Sequence, residues 1–290
     1  MSGETYLRTI LLVGVFAALC GCASVQSPAD PPTADADVQA QADFQIVRLD
    51  FAASLASGQD VVIDNPYGDV RLRFGGYEHA IETHAVAQQP LLATPIALQP
   101  VTEGLHYLIT PRLPAGTLLA ARQRLDLVVF VPLGHAVSVR TERGTIESRG
   151  IRADIDLKSS AGDIAIRGTQ GSVSAETGAG SIEVSLGKAP AGSRQRLATT
   201  SGNIIVAVAD SLDARVEMAT SAPFATEYSL QVTPRPGQEP NKQAVAVIGE
   251  DRANVSVESR RGEIRLLRWS GFTSTDGKPG NEEEADSDSD

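Results

Sequence analysis

Three carboxylates are the residues of this chain best suited to chemistry. Asp154 and Asp156 alternate with Ile155, so both point outward from one strand, and Asp163 follows in the next bend. Two acidic groups on one face are the equipment of polysaccharide-cleaving enzymes, one working as acid and the other as base or nucleophile. Arg152, Lys158 and Arg167 stand close enough in sequence to neutralise the cluster, so the expectation is a solvated face. The histidines show no ligand spacing. His79 and His84 fall on opposite faces of a strand-like run, and His106 and His135 sit in separate segments, so each is expected on the surface or in a loop. The sequence holds no nucleophile elbow, phosphate loop or zinc-protease helix. Its acidic tail lacks the glycine and alternating ligands of a calcium loop. The reading is a chain without enzymatic activity, cofactor or metal.

Chemistry of another kind is written at the amino end. Residues 9–19 are an apolar run behind Arg8, too short for a stable membrane span and placed like the h-region of a secretory signal. The run ends in Leu19-Cys20-Gly21-Cys22, which resembles the lipobox of bacterial lipoproteins. That resemblance implies removal of residues 1–21 as a signal peptide and acylation of Cys22, which makes the membrane a partner through this residue. Neither cysteine is then left for a disulfide, a metal or a nucleophile. Ala23 stands where Asp would resemble the inner-membrane retention signal of enteric bacteria, which favours the outer membrane, on its surface or periplasmic face. Residues 22–43, rich in Ala, Pro, Asp, Gln and Ser, read as a lipidated flexible tether spanning about 25 Å on average. Residues 273–290 read as an acidic disordered tail.

Charge follows these boundaries. Of the net charge of −11, six units lie in the last ten residues and four in the tether, and the pairs Glu4 with Arg8 and Asp276 with Lys278 cancel. About −1 remains for residues 44–272, so the folded part lacks the basic footprint of a nucleic-acid binder.

The elements that must position any site come from an internal repeat. Six copies align on Gly68, Gly144, Gly162, Gly180, Gly202 and Gly262. Two residues later stand Val70, Ile146, Ile164, Ile182, Ile204 and Ile264; three residues earlier stand Asn65, Thr141, Ser159, Thr177, Thr199 and Ser259. Apolar and polar residues alternate within each copy, which means strands with one buried face. The glycine interrupts the alternation, where positive φ is expected to bend the chain between two short strands. Copies 18 to 22 residues apart suit the coils of a parallel β-solenoid, with the Ser/Thr column inward as a hydroxyl ladder. A β-sandwich is the alternative for a chain of many short strands. A degenerate seventh copy runs through Val216, Met218 and Thr220, with Pro223 at the glycine position. Residues 44–136 read as an irregular amino-terminal β region covering one end, and 137–272 as the solenoid, with Trp269 and Phe272 as an apolar plug at the other end.

These motifs resemble those of the DUF4097 family of putative adhesins, proteins built from β-strand repeats. The resemblance lies in residues 61–70 (Val-Val-Ile-Asp-Asn-Pro-Tyr-Gly-Asp-Val), in Val131-Pro132, and in Ser-x-x-Gly-Asp-Ile and Ser-x-x-Gly-Glu-Ile at Gly162 and Gly262. The chain departs from it where Thr145, Ser181 and Asn203 replace the acidic bend residue, and at Pro223. The resemblance implies a fold and no functional residues. The resulting expectation is a non-enzymatic cell-envelope lipoprotein that binds a surface, a glycan or an envelope protein. A periplasm-facing scaffold or envelope-stress accessory comes second, and a polysaccharide-cleaving β-helix enzyme last. Two places are marked for binding: the row Glu147, Ala165, Glu183 and Ile205, and the proline-rich insertion at 233–241.

Overall fold

The computed structural model describes residues 44–76, 80–187 and 191–269. Residues 1–43 with Cys22, and residues 270–290 with Phe272 and the acidic tail, lie outside the described residues, as does His79. The described chain is all β. Its strands are β1 (Phe44–Ser54), β2 (Asp60–Asn65), β3 (Val70–Phe74), β4 (Ala80–Pro90), β5 (Val101–Glu103), β6 (His106–Ile109), β7 (Arg124–Val131), β8 (Val137–Thr141), β9 (Ile146–Arg149), β10 (Ile155–Ser159) and β11 (Ile164–Arg167). The remainder are β12 (Val173–Thr177), β13 (Ile182–Leu186), β14 (Arg194–Thr199), β15 (Ile204–Val208), β16 (Ala214–Thr220), β17 (Phe224–Thr226), β18 (Gln231–Pro234), β19 (Lys242–Ile248), β20 (Ala253–Ser259) and β21 (Ile264–Arg268).

Each repeat is one coil. Its first strand enters one sheet, the chain turns at the repeat glycine, and its second strand enters the other. Sheet A runs β1-β4-β7-β3-β9-β11-β13-β15-β21-β17, and sheet B runs β18-β19-β16-β20-β14-β12-β10-β8-β2-β6-β5. The stacked coils pair in parallel, as in Leu157 beside Val139 and Ala175 in sheet B, and Ile164 beside Ile146 and Ile182 in sheet A. This is the parallel β-solenoid, and its two sheets enclose one core of Val, Ile, Leu and Ala columns. The columns are fully buried because period-two alternation turns every second side chain into the space between the sheets.

The bend glycines do not have positive φ; among those that do are Gly150 and Gly168, at the opposite corner of their coils. What demands glycine at the bend is close approach. A Cβ on Gly144, Gly162, Gly180, Gly202 or Gly262 would lie 1.8–2.1 Å from the carbonyl oxygen of the glycine beneath it in the stack. On Gly68 it would lie 2.2 Å from the Leu125 oxygen. The Ser/Thr column rivets these corners. Ser159 Oγ accepts the Gly162 N–H at 2.7 Å and donates to the Gly144 carbonyl at 3.3 Å. Thr177, Thr199 and Ser259 repeat both contacts one coil at a time. Each hydroxyl thus satisfies a buried donor and a buried acceptor that no strand pairing reaches.

Stacking order departs from chain order at both ends. β6 and β7 form a coil outside β2 and β3, after which the chain returns to place β8 and β9 on the other side. The parallel stack therefore extends well into residues 44–136, and only β1, β4 and β5 join it antiparallel at that end. At the far end β20 and β21 insert between the fifth repeat and the seventh copy. Trp269 consequently does not plug the stack. It follows a coil covered by another, its N–H bonds the Val208 carbonyl at 2.7 Å, and its ring packs beside Gly187. In the outermost copy Thr220 still donates to the Gly262 carbonyl at 2.7 Å, but Phe224 pairs with Ile264, so its bend is one residue shorter than that from Ser259 to Ile264.

Candidate binding surface

The three carboxylates marked for chemistry are not brought together. Asp154 and Asp163 stand at opposite ends of β10, a five-residue strand about 16 Å long. Each holds the next coil by its backbone: Asp154 Oδ1 accepts the Ser172 N–H and Asp163 Oδ1 the Ser181 N–H, both at 2.7 Å. Asp69 accepts from Thr145 and Asn203 from Glu263 in the same manner. Two of the departures at the bend, Thr145 and Ser181, sit one coil above an Asp, where a second carboxylate would meet like charge. Of the expected neutralisers only Lys158 reaches the cluster, 3.1 Å from Asp156. Arg152 stands over the Phe74 ring at 4.5 Å, and Arg167 pairs with Glu183 on sheet A.

The described histidines are spread over separate places in the fold. His84 contacts Asp50 at 2.6 Å, His106 pairs with Asp60, and His135 sits in the loop between β7 and β8 as expected, though buried, with Nδ1 2.7 Å from the Gln59 carbonyl. Among the described residues no group of three or more His, Cys, Asp or Glu is placed to hold a metal.

The outer faces of the two sheets differ in how their charges are spent. On sheet A, the row containing Glu147, Ala165, Glu183 and Ile205 is internally paired. Glu147 meets Arg73 at 3.0 Å and also faces Arg71 and Arg149. Burial opposes ionisation of Glu147, but Arg73 and Arg149 outweigh it and hold the carboxyl below its usual range. Residues 233–241 run from the end of β18 through the turn of the β18–β19 hairpin on the edge of sheet B, exposed except at half-buried Arg235 and buried Pro240.

Sheet B carries an open groove of about 760 Å³ across its outer face. It crosses β2, β8, β10, β12, β14 and β20, a run of about 24 Å at the usual strand spacing. Ser138, Ser172, Ser174, Ser256 and Asn254 line it, with Asp60, Asp154 and Asp156 toward the amino end and Arg194 and Arg196 toward the other. Asp156 Oδ1 is shielded and has no hydrogen-bond partner among the described residues. No described carboxylate lies within 4.0 Å of Arg194 or Arg196, and both are exposed to solvent. Neither arginine was singled out from sequence, because pairing across coils depends on stacking register.

The family model described as Toastrack DUF4097 matches residues 49–267. The chain belongs to the Toastrack DUF4097 family. Among solved structures, this Toastrack chain is similar to a putative cell adhesion protein from Clostridium sporogenes, at 10% identity and a TM-score of 0.46 over 78% of this chain and 100% of that one. A putative adhesin from Bacteroides fragilis matches at 9% identity and a TM-score of 0.26, covering 78% and 97%. Another from Parabacteroides distasonis matches at 8% and 0.28, covering 77% and 97%. No curated protein matches the chain. No helix among the described residues of this Toastrack protein is long and apolar enough to cross a membrane.

Proposed function

We propose that this Toastrack protein is a non-catalytic binding module of the cell envelope, held by a lipid on Cys22, and that the sheet B groove binds an extended glycan carrying acidic groups. The observation that carries the reading is the groove itself. Its hydroxyl and amide lining, the unpartnered Asp156 oxygen and the two uncommitted arginines offer both donors and acceptors along some five strand spacings. A sugar chain presents hydroxyls of both kinds, and bidentate guanidinium contacts suit its carboxylate or phosphate groups. Asp154 uses one oxygen to hold the Ser172 backbone of the next coil, a structural use of that carboxylate.

Binding of acidic and neutral glycans to the full chain and to its Arg194→Ala, Arg196→Ala double variant tests this. The expected result is at least a tenfold loss for acidic glycans in the variant, on the scale of two charge-assisted contacts, with the glycan recovered at its original length. Equal binding by both chains, preference for an unstructured polypeptide, or shortening of the glycan would overturn it. Release from membranes on Cys22→Ser tests the anchor separately.

A further inference from the structure

Two loops rise on either side of the point where the described chain begins. One leaves β4 at Pro90 through Leu91 and Leu92; the other passes from Pro114 through Leu118 and Leu119 to Arg122. Phe44 pairs with Pro90 in the β1–β4 ladder, and the Arg122 guanidinium stands 4.6 Å over the Phe44 ring. Buried Gln123 fastens the loops together. Its Nε2 donates to the Thr94 carbonyl at 2.8 Å, and its Oε1 accepts the Ala120 N–H at 3.0 Å. The leucines are thus presented on braced turns.

Their exposure is concentrated. Leu92 is fully exposed and Leu118 is 88% exposed; their chain neighbours Leu91 and Leu119 are open to solvent, as is Ile46, which pairs with Gln88 next to the Phe44–Pro90 end of the ladder. Single exposed apolar residues are ordinary, but a cluster at one corner calls for a partner. Charge indicates which. Residues 90–98 and 113–123 contain no carboxylate and one arginine, in a chain with 36 acidic and 25 basic residues. The position of the corner narrows the choice further, because Phe44 is where the segment leading from Cys22 joins the fold.

We propose that this corner seats the protein on a lipid bilayer. The Leu91-Leu92 and Leu118-Leu119 turns enter the boundary between headgroups and acyl chains, about 5–10 Å deep, as the apolar face of an interfacial segment does. Arg122 then lies at the level of the lipid phosphates, its stem along the apolar surface and its head outward. So small a patch binds weakly alone, but an anchor 22 residues away keeps the bilayer at high effective concentration. This seating rests on the Cys22 anchor proposed above, which release on Cys22→Ser tests on its own, and not on what the sheet B groove binds.

The chain has a single tryptophan, Trp269, which makes the test direct. The full lipidated chain carrying Trp269→Phe and Leu92→Trp is reconstituted into vesicles of phosphatidylcholine with a minor share of phosphatidylglycerol, with or without bromine on the acyl chains. The expected result is that bromine removes about half or more of the emission, as contact with the upper acyl chains requires, while Trp269 in the parent chain keeps its own. Leu118→Trp in the same background should repeat the result. Unquenched tryptophan at both positions on vesicle-bound protein, failure of the chain to associate with vesicles, or shielding of these residues by a second copy of the chain would overturn the proposal.

Discussion

Replacing Gly162 by alanine tests how the coils are held at their spacing. A Cβ there falls 2.0 Å from the Gly144 oxygen, 2.6 Å from its carbonyl carbon and 2.9 Å from the Arg143 oxygen. All three are backbone atoms of the neighbouring coil, so relief requires the two coils to part by roughly 1 Å from a spacing of about 4.8 Å. Parting strains the bonds that cross this corner: Ser159 Oγ to the Gly144 carbonyl, the Ser160 N–H to Thr141 at 3.1 Å, and the Ala161 N–H to Glu142 at 2.9 Å. At about 1 kcal/mol net for each bond, plus desolvated groups left unpaired, the cost is about 3–5 kcal/mol. Gly150→Ala is the control. Its φ is +71° and its nearest neighbour is the Phe74 Cβ at 3.4 Å, so alanine there adds only the strain of a left-handed residue, about 1–2 kcal/mol. Urea unfolding followed by far-ultraviolet circular dichroism measures both. The midpoint shift should be larger for Gly162→Ala, by a factor of about 1.5 or more. Equal shifts, or a Gly162 variant within about 0.5 kcal/mol of the parent, would refute close approach as the reason for glycine at the bend.

Ser159→Ala should cost about 1–3 kcal/mol in the same assay, because it orphans the Gly162 N–H, whereas Ser159→Thr should be nearly neutral, as Thr141, Thr177 and Thr199 occupy the same column. Asp163→Ala should lower stability by about 1 kcal/mol while Asp163→Asn retains most of it, since Asn203 performs the same task two coils away. Glu147 ionises below the usual range in the folded state, so its stabilising contribution is present at neutral pH and fades as pH falls through the ordinary glutamate range toward the folded value. The stability difference between the parent and Glu147→Gln, measured by unfolding at stepwise lower pH, should therefore shrink with acidification; a difference that grows would refute the Arg73 and Arg149 pairing as its source.

The architecture was legible because each coil spends the same residue types at the same phase, so alternation and the glycine column survive in one dimension. The reason for the glycine was not. Spacing marks where a side chain is forbidden, and only the stack reveals that a carbonyl oxygen from the neighbouring coil occupies the place of the Cβ. Coil order was hidden for a related reason: β20 and β16 both carry alternating apolar residues ending in a hydroxyl, so neither pattern states which one stacks on β14. From that ambiguity came the expectation of Trp269 as an end plug. The groove was invisible in sequence because its lining comes from six strands, each contributing a few small polar residues that look like ordinary solvated positions. Asp154 and Asp163 were visible as acids, but their attachment to the Ser172 and Ser181 backbone needs the register of neighbouring coils.

Delivered amino end first, β16 and β17 arrive before β20 and β21, yet the finished stack seats the later pair inside the earlier one. Until Ser259 has emerged, the Gly202 carbonyl and the open edge of β14 face a decoy, since β16 offers a matching alternation and Thr220 a matching hydroxyl. The chain must keep that slot vacant or reopen it, so shortened chains ending near Ile248 would settle into a false closure. Completion reverses the disadvantage: β20 and β21, made after the coil they enter, are clasped on both sides, while the outermost position in sheet B falls to a hairpin already tied to itself.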